Sequence, residues 1–198
     1  MDHENSQAVG VVIGYLSAIV LSTSIILNLC GCAVDPKKES LANYVNHDIL
    51  AIASIESVAF ERYAAVTGKN YTTDEAVYTA LRDEVIPVYK RFNDLLNQVH
   101  LDDERIARVH GHFVKGSRKI LKGFETKLHG IAAKDDTLII LGNKRIDIGI
   151  EEALIWRKEI LALAEKRGLR NLDRKKSKIE KFFYSMDEFV TDIGPTGQ

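Results

Sequence analysis

Histidine and carboxylate side chains are the residues of this sequence whose types could hold a metal ion. Its six histidines stand at positions 3, 47, 100, 110, 112 and 129. Metal sites inside helical proteins commonly use a glutamate followed three residues later by a histidine, and no glutamate here has that partner. His110 and His112 are two residues apart and would point to different faces of a helix, which favours positions at the surface or at a loop edge. The sequence therefore predicts neither a metal site nor a cofactor.

Motifs for catalysis are not found in the sequence. No glycine-rich phosphate loop follows a strand, and no nucleophile elbow is present. Asn143 and Asp147 lie close to the apolar stripe of one predicted helix, and Ser54 and Ser57 lie near that of another. These residues leave open an enzyme or cofactor carrier that uses the helical interior, although buried polar groups more often fix the register of helices. We expect no enzymatic activity and name no catalytic residue.

The most strongly biased segment is basic and runs from Lys166 to Lys181. Its formal charge is +6, because it contains eight basic residues and two acids. The basic residues are Lys166, Arg167, Arg170, Arg174, Lys175, Lys176, Lys178 and Lys181. They could contact anionic lipid headgroups or an acidic partner, or form a solvated helix end. Nucleic acid is not expected, because the whole chain has a formal charge of −1 and no nucleic-acid-binding motif.

An apolar segment precedes the rest of the chain. Residues 5–34 contain no Asp, Glu, Lys or Arg, and residues 8–29 are numerous enough to cross a bilayer. The segment ends in Leu29-Cys30-Gly31-Cys32, with an aliphatic residue three positions and a small residue one position before the last cysteine. This pattern resembles the lipobox of bacterial lipoproteins, and the resemblance covers residues 1–34. It implies cleavage before Cys32, a covalent lipid on Cys32 and a place in the cell envelope.

The residues on either side of the apolar segment indicate which membrane and which compartment each interpretation implies. Ala33 and Val34, rather than an aspartate, follow the cysteine, which the resemblance associates with the outer membrane in a Gram-negative cell. Residues 1–4 carry two acids and no Lys or Arg, whereas Lys37 and Lys38 follow the segment. By the positive-inside tendency, an uncleaved helix would leave the rest of the chain in the cytoplasm as a single-pass inner-membrane protein.

The remainder of the chain has the apolar periodicity of long helices. Apolar residues recur at three- and four-residue steps and predict helices over 38–66, 73–99, 103–133 and 137–167, with a shorter amphipathic helix at 174–192. Matched lengths and short loops favour an all-α, antiparallel up-down four-helix bundle. The predicted organisation is a signal peptide or membrane anchor over 1–31, a tether over 32–40 and a helical-bundle domain over 41–198.

Local signals place the ends of these helices. Thr72 and Glu75 form a capping-box pattern for the second helix, and acids at Asp103 and Asp135 precede the third and fourth. Pro87 lies inside the second helix and should bend it without ending it.

Three glycines in the third predicted helix follow a regular spacing. Gly116, Gly123 and Gly130 are seven residues apart and fall on one line of that helix. Glycine costs about 1 kcal/mol relative to alanine in a helix interior. The spacing therefore predicts a line along which a neighbouring backbone packs closely, either within the bundle or in a homo-oligomer.

Together these patterns favour a non-enzymatic, lipid-anchored envelope protein. Its helical domain would bind membrane lipid and, as partner, another envelope protein or a cell-wall component. The alternatives are a membrane-anchored cytoplasmic adaptor and a helical enzyme or cofactor carrier.

Overall fold

The computed structural model describes residues 35–169, which are helical apart from short connections. Helix α1 (Pro36–Asn43) continues through a π-helical turn (Tyr44–Ile49) into α2 (Leu50–Ala64), and a 3-10 turn (Gly68–Asn70) follows. Helix α3 (Asp74–Ala80) continues through a second π-helical turn (Leu81–Val85) into α4 (Ile86–Asn97), followed by α5 (Glu104–Ala133) and α6 (Asp136–Lys166). The all-α prediction is confirmed over this range. The predicted N-terminal signal or anchor helix, Cys32 and the amphipathic helix at 174–192 lie outside it.

The four continuous helical stretches begin and end within two residues of the predicted positions. Asp103 caps α5, because its Oδ1 accepts hydrogen bonds from the backbone N–H groups of Arg105 and Ile106 at 3.0 and 3.1 Å. Asp135 caps α6 in the same way.

The cap of α3 differs from the predicted one by a single residue. Thr73, not Thr72, is the cap, and its hydroxyl accepts from the backbone N–H of Ala76 at 3.2 Å. Glu75 is then the second helical residue, so it cannot complete the predicted capping box with Thr72. The predicted pairing of Thr72 with Glu75 is therefore wrong.

Pro87 lies two residues after the end of the second π-helical turn. Proline has no N–H for the carbonyl of Asp83, and its ring crowds that carbonyl. The backbone accommodates this by widening over Leu81–Val85, where the N–H of Ile86 bonds to the carbonyl of Leu81. As expected, the helix does not end at the proline.

Aromatic side chains fill the centre of the domain. Phe124 from α5 makes edge contacts with Phe60 and Tyr89, at ring-centroid distances of 6.2 and 5.4 Å. Phe113 stacks on Trp156 of α6 at 4.1 Å, and both rings are almost fully buried. Each such ring removes a large apolar area from water and stabilises the fold by about 1.5–3 kcal/mol.

One apolar residue of α6 does not face this core. Leu161 is 44% exposed, whereas Ile160, Leu163 and Ala164 of the same turn are buried. Successive helical residues are about 100° apart, so the face held by Ile160 and Ala164 leaves Leu161 on the outer side.

Helices α5 and α6 form an antiparallel pair with reciprocal glycine contacts. A Cβ added at Gly116 would lie 2.6 Å from the carbonyl oxygen of Gly149, and one at Gly149 would lie 2.7 Å from that of Gly116. Gly123 and Gly142 repeat the relationship at 2.8 and 2.9 Å, and Gly130 lies against the first turn of α6. No side chain fits at these crossings, so the two backbones are in direct contact. The predicted glycine line of α5 thus faces a second line on α6, within the same chain.

The two ends of the described chain lie together. Arg167, just after α6, donates to the backbone carbonyl of Lys37 at 2.6 Å and to Asp103 Oδ2 at 2.7 Å. The Lys38 side chain reaches Gly168, since a Cβ built there would be 3.4 Å from Lys38 Nζ. The entry of the chain, its exit and the connection between α4 and α5 therefore share one end of the domain.

Candidate functional site

A cavity of about 480 Å³ opens at the other end of the domain, where the connection between α2 and α3 meets the paired helices α5 and α6. This volume is in the range typical of small-molecule sites. Its apolar lining includes Val77, Ile131, Ile139 and Ile146. Its charged lining residues are Lys69, Asp74, Lys127, Asp136 and Asp147. The uncharged polar side chains of the lining include Tyr63, Tyr71, Thr67, Asn70 and Asn143.

Lys127 is the cation that reaches into this cavity from α5. Its Nζ donates a hydrogen bond to the hydroxyl of Tyr63 at 2.9 Å and lies 5.2 Å from the centroid of the Tyr63 ring. Gly142 on α6 permits this placement, because a Cβ there would lie 2.7 Å from the backbone nitrogen of Lys127. Burial lowers the pKa of Lys127 to about 8, and the charges of Asp74 and Asp147 limit the fall.

The carboxylates of the cavity stand apart from that lysine. Among residues 35–169, no carboxylate lies within ion-pair distance of Lys127, although Asp74 and Asp147 are close enough to act on its charge. Asp147 lies at the rim, and burial together with Glu151 raises its pKa, an effect that Lys127 opposes. Asp74 accepts a hydrogen bond from the Tyr71 hydroxyl at 3.0 Å. Lys127 and the carboxylates of Asp74 and Asp147 thus line one cavity without a direct ion pair between the lysine and either aspartate.

The connection between α2 and α3 at the rim of the cavity is held in place by hydrogen bonds from its own side chains. The Thr67 hydroxyl donates to the carbonyl of Tyr63 at 2.8 Å, and the Asn70 amide donates to that of Ala64 at 2.9 Å. Gly68 has a φ of 56°, which most other residues adopt only with strain. These bonds hold the connection in shape at the cavity entrance.

Of the four polar residues identified from the sequence near the apolar stripes, the structure places two at the cavity. Asn143 and Asp147 both line the cavity, whereas Ser54 is exposed and Ser57 half-buried on α2. Lys127 and Tyr63 were not identified as site residues. The available signal for Lys127 was its position between two glycines of the close-packed line, where a charged side chain is unusual.

His110 is buried, so its predicted position at the surface or a loop edge is wrong. The ring is 7% exposed, and its Nε2 donates to the carbonyl of Leu96 at 3.2 Å. Nδ1 therefore accepts from the hydroxyl of Tyr44 at 2.9 Å, and that hydroxyl in turn accepts from Trp156 Nε1 at 2.9 Å. Burial lowers the pKa of His110, so this network holds a neutral ring. Spacing alone could not show that the Tyr44 and Leu96 groups would satisfy the ring inside the core.

His112 and the other described histidines do not form a metal cluster. His112 is half-buried and pairs with Glu152 of α6 at 2.9 Å. Within the described part of the chain, no three His, Cys, Asp or Glu side chains converge as metal ligands would.

Two members of the basic segment fall in the described range. Lys166 is exposed at the end of α6, and Arg167 is tied to Asp103 and Lys37 as described above. The other six basic residues lie outside the described residues: Arg170, Arg174, Lys175, Lys176, Lys178 and Lys181.

A second basic surface, not identified from the sequence, lies on α5. Lys115, Arg118, Lys119 and Lys122 surround a shallow depression with Arg145 of α6. The available signal was the absence of any acid between residues 105 and 122, which include six Lys or Arg. Several of these cations have partners on neighbouring helices, such as Glu152 for Lys115 and Thr126 for Arg145.

A buried carboxyl group was also missed. Glu56 on α2 is 1% exposed, and its Oε1 accepts from the Tyr89 hydroxyl at 3.4 Å. Its Oε2 has no hydrogen-bond partner among the described residues. Burial raises the pKa of Glu56 to about 8, an effect that the bond from Tyr89 reduces.

No protein family, characterised protein or solved structure matches this chain. Between residues 35 and 169, no helix carries an apolar run long enough to cross a membrane.

Proposed function

We propose that this chain is a non-enzymatic, lipid-anchored protein of the bacterial cell envelope that binds a partner through the cavity lined by Lys127 and Asp147. The partner is another envelope protein or a cell-wall component. The observation that carries the proposal is the position of the cavity at the end of the domain opposite the chain's entry and exit.

The length of α6 supports this separation. Ile139 lines the cavity, and Arg167 lies with Lys37 at the opposite end. Arg167 is 28 residues after Ile139, which corresponds to about 42 Å at 1.5 Å per helical residue. A lipid on Cys32 would tether the domain only a few residues before Pro36, which leaves the cavity free to meet a partner away from the bilayer.

The basic residues at the tethered end are consistent with a nearby anionic membrane. Lys37, Lys38, Lys166 and Arg167 occur there, and the strongly basic sequence continues to Lys181. Basic residues near an anionic lipid surface contribute about 1 kcal/mol each. In this proposal the basic segment rests on headgroups, and the four helical stretches form an up-down bundle that extends from them.

The anchoring step is tested by the intact mass of the membrane-fraction protein from bacteria expressing the full chain or Cys32→Ser. We expect the loss of residues 1–31 and an acyl adduct for the native chain, and neither for the variant. An unprocessed mass for both would overturn the lipoprotein assignment and favour a membrane-anchored cytoplasmic adaptor.

Partner binding is tested with a photoreactive p-azidophenylalanine placed at a tyrosine. Tyr71 lines the cavity and is 52% exposed, while Tyr78 on α3 is half-buried outside the cavity lining and provides a control with the same side chain. We expect cross-linking in intact cells to a protein or to wall material from position 71 and not from position 78. Equal cross-linking from both positions, or none from either, would contradict the proposal.

A further inference from the structure

The cavity carries positive and negative side chains with which a ligand bearing both charges could pair. Lys127 supplies a positive charge on the α5 wall, and Asp147 and Asp74 supply negative charges on other walls. Within residues 35–169, these groups interact through space without a direct ion pair. Charged groups in a partly buried site are stabilised by a ligand that brings the opposite charge to each of them.

An apolar surface lies between the charged groups. Ile131 comes from α5, Ile139 and Ile146 come from α6, and Val77 comes from α3. Such a surface favours ligands with an aliphatic group, because its burial contributes about 25 cal/mol per Å². The cavity thus offers a cation, an anion and an apolar floor within about 480 Å³.

We propose that the cavity binds an apolar amino acid or short peptide with free amino and carboxyl groups. The ligand's carboxylate bonds to Lys127 Nζ beside the Tyr63 hydroxyl, its ammonium pairs with Asp147, and its aliphatic side chain packs on Ile139 and Ile146. This inference rests on the proposed function, since it specifies the chemistry of the partner at the same cavity. A simple anion would leave Asp147 unpaired, and a simple cation would leave Lys127 unpaired.

The decisive measurement is isothermal titration of the full chain, in detergent micelles, with leucyl-leucine and two analogues. N-acetyl-leucyl-leucine lacks the ammonium group, and leucyl-leucine amide lacks the carboxylate. We expect leucyl-leucine to bind at least tenfold more tightly than either analogue, because each analogue leaves one charged wall group without a partner.

Two variants assign each charge to its residue. In Lys127→Met, leucyl-leucine and its amide should bind equally, because the carboxylate has lost its partner. In Asp147→Asn, leucyl-leucine and its N-acetyl form should bind equally. Lys158→Met and Glu159→Gln change exposed charges of α6 outside the cavity lining and should preserve the native preferences.

The inference is overturned if none of the peptides binds, or if removing either charge from the peptide leaves its affinity unchanged. Lys127→Arg keeps the charge and should keep the preference for the free carboxylate, which separates loss of a contact from loss of folding. A cross-link specific to position 71 without any peptide binding would leave the proposed function standing and remove this inference. Peptide binding without that cross-link would support this inference and contradict the proposed binding of an envelope partner at the cavity.

Discussion

The buried carboxyl group of Glu56 should make the stability of this domain fall as the pH rises. Its pKa is about 8 in the folded protein, compared with an ordinary value of 4.5. A group whose pKa is raised by folding is protonated in the folded state while it is ionised in the unfolded chain. Its contribution to stability is therefore fully present below pH 4.5 and is lost as the pH rises to about 8.

The size of this effect follows from the difference between the two pKa values. Each pH unit between them lowers the free energy of unfolding by about 1.4 kcal/mol. Relative to pH 4.5, the contribution of Glu56 to the free energy of unfolding should fall by about 3 kcal/mol at pH 7 and by about 4 kcal/mol at pH 8, and level off above that. Such a change is a large part of the stability of a typical domain.

The perturbation that isolates this effect is Glu56→Gln, which keeps the shape of the side chain and removes its titration. The buried amide has a hydrogen-bonding cost of about 1–3 kcal/mol, but that cost does not vary with pH. The free energy of unfolding should therefore increase for the variant relative to the native chain by about 3 kcal/mol between pH 4.5 and 7. Urea denaturation followed by circular dichroism at several pH values measures this difference.

A suitable control is Glu61→Gln, which removes an exposed carboxyl group from the same helix. That variant should differ from the native chain by a nearly constant amount across the same pH range. If the difference between Glu56→Gln and the native chain is also constant with pH, Glu56 does not titrate between 4.5 and 8 and the reasoning is refuted.

Two further predictions concern the helix pair and the buried histidine. Gly149→Ala should destabilise the domain by about 1–3 kcal/mol, because the new Cβ would lie 2.5 Å from Ile120 Cγ1. A Cβ at Gly111 has open space around it, so Gly111→Ala should stabilise the domain by up to about 1 kcal/mol. Thermal unfolding compares the two, and equal effects would contradict the close packing. Since folding lowers the pKa of His110 below 6.5, the contribution of His110 to stability should fall as the pH drops below 6.5, opposite in direction to that of Glu56. His110→Gln should remove this contribution relative to the native chain. Unfolding free energies of both proteins from pH 7 to 5 test this, and parallel curves would count against it.

Much of the helical organisation could be predicted because its signals are local. The apolar period locates each helix, and the acids at Asp103 and Asp135 locate two of the helix starts. The error at Thr72 and Thr73 arose because two adjacent threonines carry the same hydroxyl, so only the observed bond to Ala76 distinguishes them. Pro87 signalled a local disturbance, but the sequence does not say that the backbone widens into a π-helical turn.

The cavity and the buried polar groups could not be predicted because their partners are distant in sequence. Lys127 and Tyr63 are 64 residues apart, and Tyr44 and Trp156 are 112 apart. A helical period cannot show that a lysine or a histidine on one helix will meet a tyrosine on another. Glu56 illustrates the same limit, since a carboxyl group on a helix is usually exposed unless tertiary packing overrides that preference.

The direct contact between α5 and α6 also has a consequence for how the chain folds. Only Lys134 and Asp135 separate the two helices, so the loop-closure entropy of bringing them together is small. Contacts between near neighbours in sequence form quickly, and the reciprocal glycines allow many of them along the whole pair. We therefore expect the α5–α6 hairpin to form early and α2 and α4 to assemble on it. Its backbone amides should be among the last in the domain to exchange with solvent.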